Sequence, residues 1–130
     1  MKLTNQEKEE IIDLFKKGYS ANDLAKMFNI STTNVVFILK KIGYKRERID
    51  SMRLKKLINM NNLINQYKKT KEIKLNKDLR FILQMKDFDR EKIRNFLVEN
   101  YKMDLIDQDE QEKILDNIIY FKENYVEVKE

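Results

Sequence analysis

An all-α fold is the expectation for this chain, and three observations carry it. There are no prolines and only two glycines in 130 residues, although tight strand turns and long irregular loops draw on both. Apolar residues recur at three- and four-residue intervals along most of the chain, the period of helices with one buried face. Ser, Thr, Asp or Asn repeatedly stands just ahead of those runs, where a helix N-terminus needs an acceptor side chain. Hydrophobic residues make up 42% and charged residues 38%, enough for a core beneath a heavily charged surface. The length fits one domain, or a small domain with an extension.

The first helix is marked by Thr4 and Glu7, whose spacing is that of a capping box. Ile11, Ile12, Leu14 and Phe15 follow as its apolar face, and Gly18 suits a left-handed cap that ends it near Lys17. Ser20 and Asp23 repeat the capping spacing, and Leu24, Ala25 and Phe28 give a short second helix its inner face. Asn29 tolerates positive φ and is placed to make a tight turn, with Ile30 pointing back into the core. Ser31 or Thr32 caps a third helix, whose inner face is Val35, Ile38 and Leu39 and whose end is Gly43.

Residues 51–69 predict a longer helix with the stripe Leu54, Leu57, Met60, Ile64 and Tyr67. Its a/d spacing lasts two heptads, too short for a coiled coil. Residues 71–75 read either as a connector or as a short strand. Asn76 caps a helix holding Leu79, Ile82 and Leu83, and Asp89 caps one holding Ile93, Phe96, Leu97 and Tyr101. Asp107 and Glu110 signal a last helix over Ile114, Leu115, Ile118, Ile119 and Phe121. The alternating tail YVEVKE could add a strand.

Chemistry is bounded by what is missing. The chain has no Cys and no His, which removes zinc fingers, thiol nucleophiles, disulfides and histidine bases together. Asp104, Asp107, Asp109, Glu110 and Glu112 lack the glycine bend and the spacing of an EF-hand loop. Asp87, Asp89 and Glu91 read as helix-start carboxylates, and Tyr44 and Tyr67 as packing residues. The expectation is therefore a protein that is not an enzyme and needs no cofactor and no metal. No apolar run follows the basic start, and the longest uninterrupted one is Val35–Leu39. That predicts a cytoplasmic protein without a signal peptide or membrane span.

Charge is unevenly spread. Residues 1–50 carry +3, residues 51–86 carry +8 and residues 87–130 carry −6, within a net +5. A polyanion would be drawn to the first two parts and not to the last. The same pattern would arise if the acidic end neutralised the basic middle within the fold.

Residues 3–48 hold the strongest functional signal: three short helices, a small residue (Ala25) in the second, a brief break, then a third helix. This is the plan of a helix-turn-helix. Ala25 is small where the second and third helices would cross, and Asn29 stands where glycine commonly makes the turn. The start of the third helix carries Ser31, Thr32, Thr33 and Asn34, whose hydroxyls and amides can bond to phosphates or base edges. Lys45, Arg46 and Arg48 follow it as a basic arm suited to phosphates or a minor groove. A solvated, charged linker has the same composition.

The stretch from Leu3 to Arg48 resembles the trihelical helix-turn-helix of resolvases, invertases and transposases, a homeodomain-like unit. The likeness rests on the leucine start, the Gly-Tyr-Ser turn at 18–20, the Leu-Ala pair at 24–25 and STTNV at 31–35, where the family has Ser-x-x-Thr-Val. It covers the first third of the chain and does not extend to the family's catalytic domain. It implies that Thr32, Thr33, Asn34 and Phe37 face the DNA groove, with Lys40 and Lys41 near the backbone. The family's Arg or Lys one turn into the reading helix is replaced by Phe37. With Val36 beside it, Phe37 points to thymine methyls and an A·T-rich site.

The expected architecture is thus an N-terminal trihelical helix-turn-helix DNA-binding domain over 1–48, followed by a helical C-terminal region over 49–130. The leading functional expectation is a sequence-preferring double-stranded DNA-binding protein acting as a transcriptional regulator. Its site would be Ser31, Thr32, Thr33, Asn34, Val36, Phe37, Lys40, Lys41, Lys45, Arg46 and Arg48. One such unit touches few base pairs, so a homodimer is expected. Ile93, Phe96, Leu97, Ile114, Ile118, Ile119 and Phe121 are its candidate interface, although a monomer core needs the same residues. A second reading is a phage or mobile-element accessory protein that binds DNA to assemble replication, partition, recombination or packaging machinery. Its acidic C-terminal region would dock a partner protein. A third is a protein-interaction module that does not bind DNA, supported by the apolar Val36–Phe37 pair.

Overall fold

The computed structural model describes residues 3–44, 46–86 and 88–126. It is all-helical: α1 (Asn5–Lys16), α2 (Ala21–Phe28), α3 (Thr32–Lys41), α4 (Arg48–Thr70), α5 (Lys77–Gln84), α6 (Arg90–Tyr101) and α7 (Gln108–Asn124), with a 3-10 turn over Met103–Leu105. No strand occurs among the described residues. Residues 71–75 form a connector, and Tyr125 and Val126 leave α7 without a strand partner. The last four residues of the tail lie outside the described residues.

Local chemistry sets most helix starts. Thr4 Oγ1 accepts from Glu7 N and Glu7 Oε1 accepts from Thr4 N, both at 3.1 Å, so two orphan donors are satisfied at once. Ser20 accepts from Asp23 N, Ser31 from Asn34 N, Asn76 from Leu79 N and Asp89 from Lys92 N. The cap of α3 is therefore Ser31, not Thr32. Asp107 differs from the expected pattern: α7 begins there, but the Asp107 side chain makes no capping bond. Its backbone N–H is instead spent on Lys16 O at 3.1 Å, which ties the start of α7 to the end of α1. Helix α4 also starts at Arg48, three residues earlier than the apolar stripe suggests.

Apolar side chains are buried in two clusters. Ile11, Phe15, Leu24, Ala25, Val35 and Leu39 form the core shared by α1, α2 and α3. The larger cluster joins α4, α5, α6 and α7 around Leu54, Leu57, Ile64, Leu97, Ile118 and Phe121. Ile93, Leu97, Ile114, Ile118 and Phe121 are at most 1% exposed. These five are consumed by the protomer's own core, so they cannot form the dimer surface the sequence offered them for. Phe96 and Ile119 pack half-buried against the same core. Polar groups in this bundle are paired: Asn117 Nδ2 donates to Asn61 and Asn65 at 2.6 and 3.0 Å. Lys122 Nζ donates to Ile82 O at 3.0 Å and to Met85 O, closing the end of α5 with a cation where the helix dipole favours one.

Helix α4 belongs to the larger cluster, yet its first turns also hold the N-terminal helices. Gly18, at φ +113°, lies so close to α4 that an added Cβ would sit 2.8 Å from Ile58 Cδ1 and 3.4 Å from Ile106 Cγ2. Lys55 reaches Asp23 at 3.5 Å. Arg46 makes the tightest joint: Nη1 donates to Phe15 O at 2.8 Å, Nη2 to Tyr19 O at 2.7 Å and Nε to Ser51 Oγ at 2.9 Å. Gly18→Ala should lower the unfolding free energy by about 1–3 kcal/mol, because the added Cβ meets Ile58 and the residue is held at a φ that L side chains rarely adopt. Gly43→Ala is the control: φ is +75° but nothing lies within 4 Å of the added carbon, so its cost should be about 1 kcal/mol. Urea unfolding of the two variants checks the order, and equal losses would show that contact with α4 adds nothing.

Candidate nucleic-acid interface

Helix α3 is positioned by its N-terminal end and its inner face. At its start, Asn29 takes the left-handed conformation (φ 54°, ψ 48°), reversing the chain within three residues. The Thr32 hydroxyl donates to Asn22 Oδ1 at 3.0 Å, which fixes the beginning of α3 against the first turn of α2. Val35, Ile38 and Leu39 face inward. At about 100° per residue, the opposite side carries Thr33, Phe37, Lys40 and Lys41, flanked by Asn34 and Val36.

That side is open. Phe37 is 59% exposed and Val36 37%; Thr33, Asn34, Lys40 and Lys41 are exposed too. Among the described residues, the Lys40 and Arg48 side chains make no ion pair and no hydrogen bond, and the Thr33 and Asn34 side chains make no hydrogen bond. Lys41 Nζ rests 4.8 Å from the Phe37 ring centroid, so the cation and the aromatic face form one amphipathic patch. Ser31 is exposed, but its hydroxyl is already engaged as the cap.

The basic arm divides. Arg48 is exposed at the first turn of α4. Lys45 lies outside the described residues. Arg46 is turned inward: its three donated bonds are all internal, and its guanidinium carbon stacks 3.8 Å above the Phe15 ring. Burial pushes the guanidinium down to about 10, with Asp50 pulling the other way, and it remains charged at neutral pH. This side chain braces the fold and offers no free fork to a phosphate. Nothing in the sequence separates it from Lys45 and Arg48, because its acceptors are carbonyls 27 and 31 residues away.

Sequence reasoning also missed a cleft of about 730 Å³ between the first turn of α2, the side of α3 and the start of α4. Its floor is Phe15, Val36, Leu39 and Tyr44; Lys40, Arg48 and Glu47 stand around it. Two of the candidate DNA-contacting residues, Val36 and Lys40, thus border both the open side of α3 and this cleft.

No protein-family model, no curated protein and no solved structure matches the chain at a significant level. The reading of the site therefore rests on geometry and charge. Among the described residues no helix is long and apolar enough to cross a membrane, and no three acidic side chains converge as a metal site.

Among the described residues the acidic end forms no ion pair with the basic middle. Glu112 binds Arg94 at 2.7 Å and also Arg90, and Arg90 reaches Asp116 at 2.8 Å. These arginines hold the Glu112 carboxyl below the usual carboxylate range, chiefly through the hydrogen bond from Arg90. No ion pair among the described residues joins 51–86 to 88–126. The acidity of α7 is thus met in part by α6, and most of the basic charge of α4 and α5 faces solvent.

Proposed function

We propose that α1, α2 and α3 form a helix-turn-helix and that the protein binds double-stranded DNA with sequence preference, as a transcriptional regulator. Helix α3 would lie in the major groove, and Lys40, Lys41 and Arg48 would meet phosphates. The observation that carries this reading is the outward side of α3: polar, basic and apolar groups share one exposed face, while the turn at Asn29 and the Asn22–Thr32 bond hold the helix firmly. Unpaired basic charge on α4 adds a field of the right sign for a polyanion. Phe37 and Val36 suit thymine methyls, which favours an A·T-rich target.

Selection from random duplexes, followed by titration at several salt concentrations, tests the proposal. Lys40→Ala with Lys41→Ala should weaken binding on every duplex and reduce the salt slope by about 2, since each neutralised phosphate contributes roughly 0.9. Absence of any duplex binding at about 50 mM salt, where phosphate contacts are strong, would sink it. The exposed apolar pair Val36 and Phe37 favours a second reading in that event: the same face would then dock a protein.

A further inference from the structure

We propose that the cleft between α2, α3 and α4 is a binding site for a small organic anion with an aromatic or similarly flat apolar body, and that the bound anion competes with DNA. The second half rests on the DNA-binding reading; the first does not. At about 730 Å³ the cleft falls within the range of small-molecule sites, roughly 300–1,000 Å³. It is too large and too apolar for a bare phosphate. Its exposed apolar surface comes from Val36 and Tyr44, each 37% exposed, while the buried Phe15 and Leu39 back them, Tyr44 meeting Phe15 edge-on with centroids 6.2 Å apart. The Tyr44 ring and the Val36 side chain give a flat apolar body a surface to pack against.

Charge selects the other end of the ligand. Lys40, Arg46 and Arg48 line the cleft against a single carboxylate, Glu47. Arg46 is held by the fold, but Lys40 and Arg48 have no anionic partner among the described residues. The first turn of α2 borders the same space. The backbone N–H groups of Ala21 and Asn22 there have no acceptor among the described residues, because Ser20 takes up those of Asp23 and Leu24. A carboxylate between these donors and the two free cations is compensated from several sides. Competition follows from shared residues: a ligand covering Val36 and Lys40 takes both from α3's DNA-facing side.

The test is an amide NMR titration of the full chain with 1-naphthoate in the absence of DNA. The expected result is saturable one-to-one binding, with the largest shifts at Ala21, Val36, Leu39, Tyr44 and Ser51. Lys40→Gln with Arg48→Gln should weaken it about tenfold or more, the scale of one charge-assisted hydrogen bond. The uncharged analogue 1-naphthalenemethanol should bind the native chain comparably weakly and be indifferent to the substitutions. Three results would each overturn the site: no saturation at millimolar naphthoate, shifts scattered over other exposed apolar residues, or equal shifts from inorganic phosphate. In a second arm, naphthoate should raise the apparent Kd for a selected duplex in the native chain; simultaneous binding of both would overturn the competition. If no duplex binds at all, the DNA reading fails by itself, and the naphthoate titration still decides the site.

Discussion

Arg46→Met should cost about 2–3 kcal/mol of stability, the range expected when a buried, charged donor is removed and its acceptors are left without a partner. Phe15 O and Tyr19 O lie at the end of α1 and in the turn beyond it, and Ser51 lies in the first turn of α4. One guanidinium therefore links the end of the first helix to the start of the fourth. Methionine keeps the apolar stem over Phe15 but supplies no donors. Arg46→Lys should recover only part of the loss, because an ammonium cannot span three acceptors with a planar fork. Denaturant unfolding gives the magnitudes. The salt slope of duplex binding gives the assignment: if Arg46 is a brace, Arg46→Met protein, under conditions where it is folded, should keep the native slope. A slope reduced by about 1 would make Arg46 a phosphate contact after all.

What could be read from the sequence was what neighbours within a few residues decide. The caps at Thr4, Ser20, Asn76 and Asp89 are bonds spanning three residues, so spacing alone finds them. The buried faces of α1 to α3 follow from helical periodicity for the same reason. Tertiary competition decided the rest. Asp107 marks the start of α7, but its N–H is claimed by Lys16 O, and no local pattern encodes that. Arg46 looks like its basic neighbours until Phe15 and Tyr19 fold back upon it. The stretch at 71–75 has β-compatible residues, yet a strand needs another strand beside it, and helices surround this one. Five of the seven candidate interface residues lie in the protomer's core for a similar reason: an apolar stripe shows that a face is buried, not whether its own chain or a second copy covers it.

Phe37→Ala should weaken binding to the preferred duplex about tenfold, the cost typical of one mismatched base pair, and flatten the preference for A·T pairs near the start of α3. The substitution is informative because folding gives little reason to keep this side chain. Phe37 is 59% exposed and outside the apolar core, so stability should change by less than about 0.5 kcal/mol beyond the cation–π interaction with Lys41. Removing the ring frees Lys41, which would raise nonspecific phosphate binding if it changed anything. A fall in affinity on one class of sequence, with an unchanged salt slope, can then come only from an apolar contact in the groove. Phe37→Arg sharpens the same point: it places a guanidinium one turn into α3, where Arg can read guanine O6 and N7. Its selected sites should shift from A·T to G·C at that position. If both variants select the native site with native affinity, Phe37 does not touch the bases and α3 is not the reading helix.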